Sequence, residues 1–381
     1  MKHVYITGSS LTCALGNDKS SSVSKALSLD SDNYQSLTKV QKTGYFKITQ
    51  SFSSEEEKFY SSIKNTVLEA INDAKLSKDE QKELHIFIGS TSMSISINEE
   101  QSDKYYNQND PVMLKEIGYG NIGSYIEDIV KSIHKATIIQ TACTSTANGI
   151  AYATQMIKAK KIKKALVVGI ELFNKSTYNG FESLMLPSKT MTYRPFDKRS
   201  DGLILGESCS AVVLEPEKKD PNDFEVLSSA ITFDNYSITG SDPEGKATFS
   251  CMQKALDNAG LLLEDITCLK AHATGSENSN LSEAKAIDTL FSSQKAKCDV
   301  IVLKPFLGHT LGSCGTSEVI LLCELIKNGI LPKTLNYESG YEDINFEPLK
   351  ETKEVNHATI LCQFIGFGGS NTALILSNEK S

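Results

Sequence analysis

Three side chains in this sequence lie on turns of small residues, where a reactive group is left accessible: Cys143, His272 and His309. Cys143 sits in Thr141-Ala142-Cys143-Thr144-Ser145-Thr146-Ala147-Asn148-Gly149, after the apolar run Ala136-Thr137-Ile138-Ile139-Gln140. A helical pattern follows, with Ile150, Ala151, Ala153, Met156 and Ile157 at i, i+3, i+4 and i+7 spacing. A thiol at such a strand-to-helix turn meets free N–H groups and the positive end of the helix dipole. Its pKa is therefore expected below that of an ordinary cysteine. The same N–H groups can hold an oxyanion. Cysteines are also among the commonest core residues, so the turn alone does not decide between reaction and packing.

His272 lies in Lys270-Ala271-His272-Ala273-Thr274-Gly275-Ser276, at the end of an apolar strand. Strand ends in α/β folds open onto the ligand crevice. His309 lies in Lys304-Pro305-Phe306-Leu307-Gly308-His309-Thr310-Leu311-Gly312-Ser313-Cys314-Gly315, with Glu318 just beyond. One potential thiolate and two imidazoles suit acyl transfer onto sulfur, followed by stabilisation of an enolate by Nε2–H donors. A Cys–His pair alone suits a hydrolase equally well. The remaining histidines, His3, His85, His134 and His357, occupy ordinary strand or helix-end contexts. Gln363-Phe364-Ile365-Gly366-Phe367-Gly368-Gly369-Ser370-Asn371 reads as a tight hairpin whose backbone N–H groups can line an oxyanion hole. Arg194-Pro195-Phe196-Asp197-Lys198-Arg199-Ser200-Asp201-Gly202 reads as a loop leading into a strand at 210–214.

The elements around these turns alternate. Strands are expected at 4–7, 85–89, 138–141, 165–170, 210–214, 224–233, 266–272, 300–303, 359–367 and 372–376. Helices are expected at 55–74, 122–133, 247–259, 281–290 and 316–326. Such alternation indicates stacked βαβ units with sheets covered on both faces. The charged, Pro-bounded segment Glu215-Pro216-Glu217-Lys218-Lys219-Asp220-Pro221-Asn222-Asp223 marks a seam between halves of similar size, 1–215 and 224–381. The polar stretch 98–111 lacks periodicity and reads as an excursion loop.

With 40 % hydrophobic and 23 % charged residues, the composition is that of an ordinary globular protein. The net charge of −8 argues against a nucleic-acid or anionic-membrane surface. Lys158-Ala159-Lys160-Lys161-Ile162-Lys163-Lys164 is a local basic patch, read as a solvated helix end or as a dock for an acidic partner. The nine cysteines are odd in number and include no C-x-x-C pair, so neither a disulfide framework nor a zinc ribbon is expected. No leader peptide is evident, and no apolar run reaches the ~18 residues of a membrane span. A reduced, cytoplasmic location fits best.

Taken in order and at these separations, the four motifs resemble the β-ketoacyl-[acyl-carrier-protein] synthases of the thiolase superfamily, over essentially the whole chain. The resemblance implies a thiolase-like α/β fold of two similar βαβ-built halves in a five-layer α-β-α-β-α sandwich. It implies that Cys143 is the acylated nucleophile and that His272, His309 and Lys304 are catalytic, with Glu318 as buried support. It further implies that Phe367 is a gating residue whose backbone N–H, with that of Cys143, forms the oxyanion hole. Thr274 and Ser276 match positions that bind the phosphopantetheine arm. No metal and no resident cofactor are implied, because the substrates ride on acyl carrier protein.

Four positions depart from the family pattern: Ala273 for Gly, Asn280 for Asp, Ser200 for Arg, and Ser276 for Thr. They point to a specialised enzyme of the aryl-polyene or polyketide type, with fatty-acid biosynthesis the other possibility. The expected reaction is acyl transfer from acyl carrier protein to Cys143, then decarboxylative Claisen condensation with malonyl-carrier protein. The expected assembly is a homodimer, or a heterodimer with a chain-length-factor-like subunit. The alternative is a chain-length-factor-like or obligate-heterodimer subunit; retention of Cys143 and both histidines argues against a non-catalytic role, while Ser200 and Asn280 leave the catalytic half of a heterodimer open.

Overall fold

The computed structural model describes residues 3–30, 34, 44–108, 118 and 120–379. Ten strands form one mixed sheet. The first half supplies β1 (Tyr5–Cys13), β2 (His85–Gly89), β3 (Thr137–Ile139), β4 (Ala165–Glu171) and β5 (Ser208–Glu215). The second supplies β6 (Phe224–Phe233), β7 (Cys268–Lys270), β8 (Asp299–Ile301), β9 (Thr359–Ile365) and β10 (Ser370–Ser377). Their order is β8-β7-β9-β10-β6-β1-β5-β4-β2-β3, so both halves run third, second, fourth, fifth, first from the outer edge to the junction. Directions match as well. β2 is parallel to β3 and β4, and β5 is antiparallel to β4 and β1. Likewise β7 is parallel to β8 and β9, and β10 is antiparallel to β9 and β6.

Among the described residues the strands pair across the junction at Tyr5↔Glu225 and Ile6↔Phe224, with the Val226 N–H donating to the Val4 carbonyl beside them, and this short join lets the two half-sheets face each other. Between them lie α2 (Ser145–Lys158) and α5 (Cys314–Lys327), which pack on one another and reach strands of both halves. Outside, α1 (Glu55–Asp73) covers β1 and β5, and α3 (Lys246–Ala259) covers β6 and β10. A further outer helix, α4 (Glu277–Gln294), packs on α3. The result is five layers: helix, sheet, helix, sheet, helix.

Sequence chemistry assigns each helix its layer. α1 has one apolar face, Phe59, Ile63, Val67, Ala70 and Ile71, and an acidic first turn, as an outer helix needs. α5 is buried from Cys314 to Cys323 with no solvent-exposed face, as a central helix needs. Gly315 permits the central contact: a Cβ there would stand 2.1 Å from the backbone nitrogen of Ala147 on α2.

Two expectations change. The stretch 98–111 was expected as a loop, but Ile95–Gln108 is helical; 109–111 lie outside the described residues. Its anchors are polar and escape a periodicity test: the Glu99 carboxylate accepts from the Lys175 and Ser176 N–H groups at 2.7 Å each. The first strand runs past residue 7 to Cys13, because after a register shift at Thr7 its residues Gly8 to Cys13 pair with β5. At the basic patch, Lys158 Nζ donates to the carbonyls of Val226 and Leu227, and Lys164 pairs with Glu80 and Glu215. Lys158 ties down the helix end and Lys164 the start of β4. Among the described residues no helix is long and apolar enough to cross a membrane.

Candidate active site

β3 delivers the chain to a turn that ends at the start of α2. Thr144 is the helix cap, so Cys143 stands one residue outside it. The turn is locally strained, with Ala142 at φ +52°. Hydroxyl groups hold it: Thr144 Oγ1 donates to the Thr141 carbonyl at 2.7 Å and Ser145 Oγ to the Ala142 carbonyl at 2.7 Å. Gly366 closes over this turn, since a Cβ there would lie 2.9 Å from the Thr141 carbonyl oxygen.

β7 ends at Lys270, two residues before His272. The backbone N–H groups of His272 and Ala273 both donate to the Glu283 carboxylate on α4, at 2.6 Å each. This clamp holds Ala273 at φ +41°, a conformation that favours glycine. His309 follows Gly308, whose φ of +72° turns the chain after Lys304–Leu307. Its N–H donates to the Ile204 carbonyl at 2.7 Å, and its own carbonyl accepts from the Gly206 N–H at 2.9 Å. The backbone is thus pinned on both sides.

These turns bring the three groups together from both halves. His309 Nε2 lies 3.1 Å from Cys143 Sγ, and the two imidazole rings stand edge to face, centroids 5.3 Å apart. One ligand atom from each of Cys143, His272 and His309 lies within 4.8 Å of the others, a donor set of the kind that binds zinc. Below His272 is a buried charge cluster. Lys304 Nζ donates to Glu318 Oε1 at 2.6 Å and Lys270 Nζ to Glu318 Oε2 at 2.5 Å. Lys304 Nζ also lies 3.2 Å from His272 Nδ1.

Burial dominates the electrostatics. It pushes the Cys143 thiol well above the ordinary cysteine range, and Cys314 adds to that. The Lys304 charge and the Phe367 N–H oppose the rise without reversing it. The thiol expected to be lowered by its helix end is therefore raised, because a partial charge at a helix terminus is outweighed by the loss of water around the sulfur. Burial and the Lys304 charge hold both imidazoles well below the ordinary histidine range, so both are neutral. Burial acts to lower the Lys304 pKa, but Glu318 leaves it raised; Glu318, in turn, is lowered by Lys270 and Lys304 despite its burial.

The three groups open into a cleft. Thr274, Ser276 and Phe367 line it too, as do Phe181, Leu203 and Glu283. Phe367 sits in the turn Phe367–Gly369 and stacks on Phe181, centroids 5.7 Å apart and planes 16° from parallel. Its N–H is directed at the Cys143 sulfur. In the loop at 194–202, Ser200 Oγ donates to the Gly275 carbonyl at 2.6 Å, between the cleft residues Thr274 and Ser276. Asn280 Oδ1 accepts from the Gly275 N–H at 3.0 Å, an acceptor role open to Asn and Asp alike. Sequence reasoning did not single out Lys270, Glu283 or Phe181. A lysine inside an otherwise apolar strand, two residues before a histidine, was the available signal for the first.

Two family models cover most of the chain: "Beta-ketoacyl synthase, N-terminal domain" matches residues 42–220 and "Beta-ketoacyl synthase, C-terminal domain" residues 224–338. A 3-oxoacyl-[acyl-carrier-protein] synthase 2 from Coxiella burnetii is 31 % identical over 254 residues, 63 % of this chain and 61 % of the relative. The tetracenomycin polyketide synthase ketoacyl synthase alpha subunit of Streptomyces glaucescens is 26 % identical over 257 residues, 64 % of this chain and 60 % of its own. The match thus spans about three fifths of the length of these relatives. Among solved structures, the ishigamide ketosynthase/chain length factor superposes with a TM-score of 0.84 at 20 % identity, covering all of both chains. A ketosynthase in complex with its chain length factor from Xenorhabdus doucetiae gives 0.80 at 20 % identity, covering 99 % of this chain and 98 % of that one. These likenesses show the thiolase-like fold.

Proposed function

The chain belongs to the β-ketoacyl synthase family, and from that premise we propose that it is a 3-oxoacyl-[acyl-carrier-protein] synthase acting through Cys143. The observation that carries this reading is the 3.1 Å approach of His309 Nε2 to Cys143 Sγ, beside a second neutral imidazole.

In the first half-reaction Cys143 Sγ attacks the thioester carbonyl of an acyl-carrier protein. The C–S bond to the phosphopantetheine arm breaks, and the thiol proton leaves with that arm. The N–H groups of Phe367 and Cys143 hold the oxyanion. In the second, malonyl-carrier protein enters and loses CO₂, which leaves an enolate. His272 and His309 donate Nε2–H to its oxygen. The enolate carbon attacks the acyl-cysteine, a C–C bond forms, and Cys143 leaves as thiolate and takes a proton from solvent.

Thr274 and Ser276 are assigned to the phosphopantetheine arm and Phe367 to gating, on their places in the cleft. Lys304 and Glu318 serve as charged support under His272. No resident cofactor, metal or nucleic acid is invoked; the partner is acyl carrier protein. The halves are divided at 216–223, a reading supported by the repeated strand order on either side. A cytoplasmic location is supported by nine unpaired cysteines. Among the described residues β3 is the outermost strand at one rim of the sheet, and such an edge suits pairing with a second subunit, a like copy or a chain-length-factor-like one.

Intact-mass analysis after incubation with a panel of acyl-carrier proteins tests the reading. An acyl mass on Cys143, discharged as β-ketoacyl product on adding malonyl-carrier protein, supports it. Absence of any adduct with every acyl donor overturns it. Size-exclusion chromatography separates a stable homodimer from a chain that needs a partner.

A further inference from the structure

Resting on that reading, we propose that Cys314 is a positioning residue for His309: its S–H donates to Nδ1 and keeps the ring proton on Nε2, facing Cys143. The imidazole lies between two sulfurs, with Nε2 3.1 Å from Cys143 Sγ and Nδ1 3.2 Å from Cys314 Sγ. A neutral imidazole has one N–H and one lone pair, so one of these contacts donates from the ring and the other accepts into it. The hydroxyls behind Cys314 leave its S–H free to make this bond. Thr310 Oγ1 donates to Cys314 Sγ at 3.7 Å, and Ser317 Oγ lies 2.8 Å from Thr310 Oγ1. With the Thr310 proton on the sulfur, Ser317 donates to Thr310 and the Cys314 S–H is left to point at Nδ1. Every donor in the chain Ser317, Thr310, Cys314, His309 then points toward Cys143.

The fold places this relay deliberately out of water. Thr310, Cys314 and Ser317 are completely buried, and the turn Leu311–Ser313 carries the chain back so that the first residue of α5 lies under the ring. That turn holds Leu311 at φ +44° and is tied down by the Gly312 N–H, which donates to the Glu171 carboxylate at 3.0 Å. Burial pushes the Cys314 thiol up to about 12, so it keeps the proton it donates. The arrangement parallels the other imidazole, where Lys304 fills the same role at His272 Nδ1.

The test is ¹⁵N-histidine NMR of the full chain, assigned with His309→Ala, because ring nitrogen shifts report which nitrogen carries the proton. The wild type is expected to show protonated Nε2 and bare Nδ1 at His309. Cys314→Ala should shift the tautomer ratio toward Nδ1–H by roughly five- to tenfold, the size of one neutral hydrogen bond, and lower condensation kcat in proportion to the fraction of Nε2–H lost, with KM unchanged. Cys314→Ser, which restores a donor, should return both. A proton on Nδ1 in the wild type overturns the proposal even if no variant folds, as does a Cys314→Ala variant with unchanged tautomer, or a Cys314→Ser variant no better than Ala. The tautomer readout needs no substrate. A chain with the expected tautomers that never condenses overturns the functional reading instead.

Discussion

Lys304 Nζ lies 3.2 Å from His272 Nδ1 and decides which nitrogen of that ring carries the proton. An ammonium has donors and no lone pair, so Nδ1 must accept and Nε2 must hold the hydrogen. The ring is neutral because burial and the lysine charge both oppose protonation. A donor aimed into the cleft thus comes from a salt bridge behind it rather than from the histidine alone.

Lys304→Met should therefore lower condensation by roughly 10²-fold or more, comparable to loss of an oxyanion donor, while leaving Cys143 able to take an acyl group. Single-turnover kinetics of acylation and condensation, measured separately, check this. Equal slowing of both steps would count against a role confined to His272.

Removing either imidazole has a sharper expected effect. His272→Ala and His309→Ala should each slow condensation by roughly 10²–10³-fold. The double variant should fall short of the product of the two, since both donors serve one oxygen. Wild-type condensation in His309→Ala would contradict the assigned roles.

Glu318 holds two buried lysines at once. Glu318→Ala should destabilise the fold by about 3–5 kcal/mol, the cost of leaving buried charge uncompensated. Urea denaturation of the variant measures it, and a midpoint equal to wild type would show that the cluster is neutralised in some other way.

Stability should fall on both sides of neutrality. Burial pushes the thiols of Cys209, Cys251, Cys314 and Cys362 up to about 12. Above about pH 8.5 these groups ionise in the unfolded chain but stay protonated in the folded one. The folded state then binds more protons, and stability drops by up to about 1.4 kcal/mol per pH unit for each thiol. His272 and His309 are lowered in the fold, so they act in the opposite direction, costing stability as pH falls below about 6.5. A series of urea midpoints from pH 5 to pH 10 should peak near neutrality; a plateau extending to pH 10 would refute the alkaline arm.

Gly315→Ala tests the central layer. The added methyl meets the Ala147 backbone at 2.1 Å, so α2 and α5 must separate. Overpacking of this kind costs about 1–3 kcal/mol, read as a lower denaturation midpoint. A midpoint at the wild-type value would show that the two helices can part without cost.

Residue type and spacing by themselves picked out Cys143, His272 and His309, because a thiol or imidazole among glycines and hydroxyls is a local signal; the family resemblance added Lys304 and Glu318. The alternation of strands and helices was legible for the same reason, since periodicity is local. The repeated strand order of the two halves was not. Identical topology needs only apolar strands at matching places, and side chains on the two sides have no cause to agree. Glu99 hid a helix at Ile95–Gln108, because polar anchors leave no period.

The tertiary structure alone decided how the chosen groups are charged. Cys143 reads from its turn as an activated thiolate, yet the second half of the chain buries it and raises its pKa. Lys270 and Glu283 join the site only because β7 and α4 are folded against it. Spacing along the chain specifies which chemistry is available. Protonation depends on the solvent and charge that distant segments remove or supply, and no local reading of residue order contains that.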